Sequence, residues 1–110
     1  MAMPHAASGE VIDLRPFGET LRRADSETLV RSDHLEIFRL VLSAGKSLPE
    51  HAVPSVITIQ CLEGAVELAT QGRSRVVPAG SLVYLAPGQP HALKAVEDCA
   101  VLVTMLVHRE

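Results

Sequence analysis

The stretch LPEHAVPSVITIQCLEG, residues 48–64, runs from a proline-bearing turn through one histidine into β-branched residues ending at Glu63-Gly64. β-Branched side chains favour extended backbone, and side chains in a strand alternate between faces with period two. Ile57, Ile59 and Cys61 therefore share one face of a strand, and Thr58 and Gln60 share the other. The segment before it reads as the turn 46–51 leading into a short strand over 51–53, with His51 and Val53 on a common face. Burying a Val or Ile fully stabilises a fold by about 1.5–3 kcal/mol, so Val53, Ile57, Ile59 and Cys61 read as one dry inward wall.

The same grammar extends in both directions. Two strands, about 27–31 and 34–43, are joined by Ser32-Asp33, and a tight turn at Glu63-Gly64 returns the chain. Gln71-Gly72 makes the next reversal, and Pro78, Gly80, Pro87-Gly88 and Pro90 punctuate the rest. Only residues 17–25 suit a helical turn. Short strands at regular turn spacing indicate an all-β sandwich or barrel. Residues 1–10 read as a flexible N-terminal leader and residues 11–110 as a single domain, the size expected of one modest core.

Composition removes several function classes. The apolar runs at 37–42, 53–62 and 100–107 are too short to span a bilayer, and the first residues lack a secretory signal pattern. The expectation is a cytoplasmic protein with no membrane partner. The formal charge is −3, and the ten Lys and Arg residues are scattered, with Arg22-Arg23 and Arg73/Arg75 the densest spots. That is too thin for a surface tracking phosphates, and Phe17, Phe38 and Tyr84 are too few to stack bases, so nucleic acid is not an expected partner. Cys61 and Cys99 sit in apolar strands and read as buried free thiols.

Two spacings carry a more specific message. Gly45, His51, Val53, Ile57 and Gly64 form the first; Gly80, Ala86, Gly88, His91 and Ala95 form the second. They resemble the two motifs of the cupin family, G-x5-H-x-H-x3,4-E-x6-G and G-x5-P-x-G-x2-H-x3-N. The resemblance covers about residues 35–107 and implies an all-β cupin-type double-stranded β-helix, a jelly-roll barrel of two antiparallel sheets. In metal-binding cupins the ligands are the two histidines and the glutamate of the first motif and the histidine of the second. Carried over, these positions are His51, Val53, Ile57 and His91, so the resemblance implies a degenerate metal site. The proline position is Ala86, followed by Pro87, and the asparagine position is Ala95.

Both missing donors have become branched apolar residues, as suits a wall filled for packing. Zinc and facial iron sites take three or more protein donors. Of the candidates for a third, Glu50 faces away from His51, Glu63 is at a hairpin tip and Glu67 is on the outgoing strand. His34 lies in a turn, His5 in the leader and His108 at the chain end. No cofactor is expected; the alternative is a divalent transition metal on His51 and His91. No catalytic residue stands out. The leading reading is a module binding a small organic ligand in the barrel, with His51 and His91 as polar contacts and Val53, Ile57 and Ile59 as walls. A metal-dependent cupin enzyme of dioxygenase or isomerase type, and a structural or partner-binding barrel, are the alternatives. Apolar strand edges that need covering point to a homodimer.

Overall fold

A computed structural model describes residues 5–107. After a short 3-10 helix, Gly18–Arg23, come nine strands: β1 (Glu27–Arg31), β2 (Leu35–Leu42), β3 (Ser47–His51), β4 (Ile57–Glu63), β5 (Ala65–Thr70), β6 (Arg73–Pro78), β7 (Leu82–Leu85), β8 (His91–Ala95) and β9 (Cys99–Leu106). They form two antiparallel sheets, ordered β1-β2-β9-β4-β7 and β3-β8-β5-β6. The all-β expectation, the strands on either side of Ser32-Asp33 and the helical turn within 17–25 all hold. His108 lies outside the described residues. Among the described residues no helix is long and apolar enough to cross a membrane.

The core lies between the inner faces of the sheets, and alternation selects its members. From β4 come Ile57, Ile59 and Cys61; from β9, Cys99, Val101 and Val103; from β5 and β8, Val66, Leu68, Leu93 and Ala95. Thr58 and Gln60 take the outer face, where they pair with Tyr84 and Leu82 of β7. Gln71 and Gly72 both have positive φ (55° and 73°), the signature of the two-residue turn that suits the twist of a hairpin.

The opening segment departs from its sequence reading. Residues 47–51 are not a turn but the edge strand β3, whose register on β8 shifts between Leu48 and His51. Proline is tolerated at such an edge irregularity because no ladder donor is required of it there. The strand therefore ends at His51 rather than beginning there. Val53 lies in the following loop, where its carbonyl accepts the Gly88 N–H at 2.8 Å and its side chain packs against the core.

The chain before β1 wraps the outer face of the five-stranded sheet, held by one buried cation. Arg39 of β2 is only 7% exposed. Its Nη2 donates to Glu27 Oε1 at 2.5 Å, its Nη1 donates to the Asp13 carbonyl at 3.2 Å, and the guanidinium lies 4.6 Å from the centre of the Phe17 ring. Ala6, within the stretch read as a leader, donates its N–H to the Leu29 carbonyl at 2.8 Å.

Candidate functional site

Antiparallel register assembles the site at one end of the smaller sheet. His51 of β3 pairs with His91 of β8, His91 pairs with Thr70 of β5, and Thr70 pairs with Arg73 of β6. One rung below, Leu48, Leu93, Leu68 and Arg75 follow in the same order. A polar rung thus sits at the end of the barrel above an apolar one, with an arginine closing each on β6.

The two histidines meet, their ring centroids 4.5 Å apart and their planes tilted by 53°. They differ in environment: His91 is 2% exposed, whereas His51 stands open to solvent at the rim. The Nδ1 of His91 lies 3.0 Å from the Gln89 carbonyl, and that of His51 lies 3.4 Å from the Pro49 carbonyl. A carbonyl can only accept, so in the neutral His91 ring the proton belongs on Nδ1 and Nε2 carries the lone pair.

The other residues singled out from sequence are placed differently. Ile57 and Ile59 are buried in the core beside Leu85 and Val83, their partners on β7, and Val53 covers that end from its loop. Among the described residues none of the three candidate carboxylates joins the two histidines. Glu63 accepts the Phe17 N–H at 2.7 Å and the Gly18 N–H at 3.2 Å, pinning the start of the 3-10 helix. Glu67 pairs with Lys94 and Val76 on the outer face, opposite in parity to buried Val66 and Leu68. Glu50 borders an outer groove with Ala69 and Ser74. Among the described residues no group of three or more His, Cys, Asp or Glu side chains is placed to hold a metal ion. Among the described residues the two imidazoles stand without the third protein donor that zinc and facial iron sites take.

Beside the polar rung lies a cavity of about 350 Å³ between β6 and β7. Leu68, Val83 and Leu85 supply its apolar wall, and Thr70, Gln71 and Gln89 its polar rim. Thr70 donates its hydroxyl to the Pro90 carbonyl at 2.7 Å, and the Gln71 side chain reaches that of Gln89 at 3.4 Å, so the rim is cross-tied. Arg73 and Arg75 also line it, while Ser74 and Val76 do not, as alternation along β6 requires. These residues escaped the sequence reading, although the parity of 73 and 75 with Val77 was the signal that could have found them.

Cys61 and Cys99 are free and buried. Burial, aided by the neighbouring Cys61 and Asp98, pushes the Cys99 thiol up to about 11, and burial raises that of Cys61 as well. Both stay protonated near neutral pH and are inert as nucleophiles.

With the geometry in place, relatives can be compared. The model of the AraC-like ligand binding domain matches residues 41–107, well over half of the chain. The chain belongs to that family. Solved structures agree on the fold of this AraC-like domain. A conserved protein of unknown function from Streptococcus pyogenes superposes with a TM-score of 0.77 at 25% identity, covering 100% of this chain and 97% of that one. An RmlC-like cupin from Desulfovibrio desulfuricans gives 0.69 at 26% identity, covering 94% and 96%. An RmlC-like cupin with a double-stranded β-helix fold from Methanocaldococcus jannaschii gives 0.73 at 19%, covering 91% and 94%, a likeness of fold alone. No functionally curated protein matches the sequence. The AraC-like domain is thus a cupin-type double-stranded β-helix, as the two motifs implied.

Proposed function

We propose that the barrel binds a small organic molecule in the cavity between β6 and β7, with His91 and His51, which do not line the cavity itself, as polar contacts reached past Thr70. Ile57 and Ile59 back its apolar wall, and Val53 closes the end. The observation carrying this reading is a cavity of about 350 Å³ with an apolar wall and cross-tied polar rim, next to the rung where both motif histidines meet. That volume falls at the lower end of the range for small-molecule sites, roughly 300–1,000 Å³, and apolar walls with a few fixed polar groups are their usual chemistry. Membership of a family described as ligand-binding supports the same reading.

The test is a thermal-shift screen against a broad set of small metabolites. A ligand at a hundred times its Kd stabilises the folded state by about 2.7 kcal/mol, which raises the Tm of a domain this size by roughly 10 °C. Val83→Phe, which fills the cavity from β7, is expected to abolish that rise while melting within a few degrees of wild type. If no compound raises the Tm, the barrel is better read as structural. Elemental analysis of tag-free protein supplies the second arm. Near-stoichiometric iron, manganese, nickel or zinc that His51→Ala removes would replace this reading with a metal-dependent enzyme.

A homodimer belongs to the same proposal. Leu82, Tyr84 and Leu106 are 58%, 61% and 49% exposed, and all three lie on the outer parity of the five-stranded sheet. Their neighbours Thr58, Gln60 and Thr104 are uncharged, so pairing with a second copy would strand no charge. Size-exclusion chromatography with light scattering is expected to give twice the 11.8 kDa chain mass; a stable monomer rejects the dimer.

A further inference from the structure

We propose that the ligand of this cavity is a small organic carboxylate whose charged end is held by Arg75 and Arg73 while its apolar body lies against Leu68, Val83 and Leu85. The inference rests on the reading of the cavity as a ligand site and specifies the chemistry of what enters it.

Three observations converge on that chemistry. First, both arginines share the parity of buried Val77 on β6, with their side chains exposed at the open edge of the cavity. Val77, two residues beyond Arg75 on β6, is 3% exposed, and Arg75 pairs across the ladder with Leu68, also 3% exposed. Second, neither arginine is ion-paired among the described residues. The ion pairs among the described residues involve Arg15, Arg22 and Arg39, not Arg73 or Arg75. Among the described residues no carboxylate lines the cavity, although the whole chain carries an excess of acidic residues, with a formal charge of −3. Third, the cationic end and the apolar wall are parts of one cavity of about 350 Å³. That is more room than a bare oxyanion fills, and its wall gains nothing from contact with phosphate or sulfate.

The two arginines have unequal parts. Arg73 also borders the outer groove that contains Glu50, whereas Arg75 lines the cavity but not that groove and pairs with Leu68 of the apolar rung. Arg75 is therefore the principal anchor, its guanidinium matching a carboxylate with two parallel N–H donors, and Arg73 adds field and one further donor. His91, one strand further along the polar rung, offers a lone pair on Nε2 rather than a second positive charge in its neutral state.

The test follows amide signals in two-dimensional ¹H–¹⁵N NMR spectra during titration with hexanoate, benzoate and phenylacetate. The matched primary amides and inorganic phosphate form parallel arms. The proposal expects the carboxylates to shift signals of residues 68–75 and 82–86, with affinity at least tenfold above that of the amides. Because a hydrogen bond to a charged group contributes enough for a tenfold change or more, Arg75→Gln should weaken carboxylate binding at least tenfold and Arg73→Gln several-fold. Arg23→Gln, an exposed arginine on the 3-10 helix, should leave it unchanged. If the amides shift the same signals with equal affinity, the anion assignment is overturned and the cavity reading survives. If phosphate binds as well as the carboxylates, recognition of an organic body is overturned. If neither series perturbs these residues, the carboxylate assignment is overturned, and the cavity reading is decided separately by the thermal-shift screen.

Discussion

Gly64→Ala is expected to lower the unfolding free energy by about 3–5 kcal/mol, a third or more of the stability of an ordinary domain. Two costs combine. Gly64 has φ +75°, a backbone region that side-chain-bearing residues occupy only under strain, typically about 1–3 kcal/mol. In addition, a Cβ there would sit 2.1 Å from the Asp98 carbonyl oxygen and 2.8 Å from the Cys99 Cβ. Those atoms belong to the entry of β9, which is hydrogen-bonded to β2 on one side and β4 on the other, so they have little freedom to retreat. Overpacking against such a wall costs a further 1–3 kcal/mol or so.

Gly80→Ala separates the two costs. Its φ is +89°, but a Cβ would meet nothing within 4 Å, so only the backbone strain applies. Urea unfolding should place Gly64→Ala well below Gly80→Ala in midpoint at a similar m-value. Equal losses for the two variants would show that the close approach to β9 contributes nothing.

The second large effect is expected at Arg39. Removing one member of a buried ion pair leaves the other charge uncompensated, and such losses run to about 3–5 kcal/mol. Arg39→Ala should fall near the lower end, about 3 kcal/mol, because Glu27 retains some solvent contact, its side chain being 21% exposed. The same substitution removes the donor to the Asp13 carbonyl and the cation that Phe17 covers. The segment before β1 should then detach more often, and chymotrypsin should nick native protein at Phe17 faster than in wild type.

Arg39 Nε is buried without a hydrogen-bond partner, so this anchor already carries a desolvation cost. The double variant Arg39→Met with Glu27→Leu should for that reason recover to within about 1 kcal/mol of wild type, since no charge is left stranded. A loss below about 1 kcal/mol for Arg39→Ala, with unchanged nicking, would mean that the segment is held by its other contacts.

How far the fold and the site were legible depends on the range of the interactions that set each element. Strands β4, β5 and β9 were readable because β-branched alternation and bounding glycines act within a few residues. Strand β3 was misread because Pro49 is a local turn signal, whereas its strand state comes from pairing with β8, more than forty residues away. Glu63 looked like a spare carboxylate at a hairpin tip; its partners, the Phe17 and Gly18 N–H groups, are brought to it by the wrap of the N-terminal segment.

From its letters alone the chain reads as a two-motif barrel with histidines at His51 and His91 and apolar residues at the other two ligand positions, Val53 and Ile57. Period-two alternation and turn chemistry are local properties and survive in a string of letters. It took the folded sheets to show that Arg73 and Arg75, which read as scattered surface charge, close the rungs begun by the histidines and by Leu48. Which face of an edge strand looks inward, and what stands across from it, is set by register with β5 and by the approach of β7 from the other sheet. The parity of 73 and 75 with Val77 is visible in the letters, but the approach of β7 from the other sheet, which makes that face a cavity wall, is not.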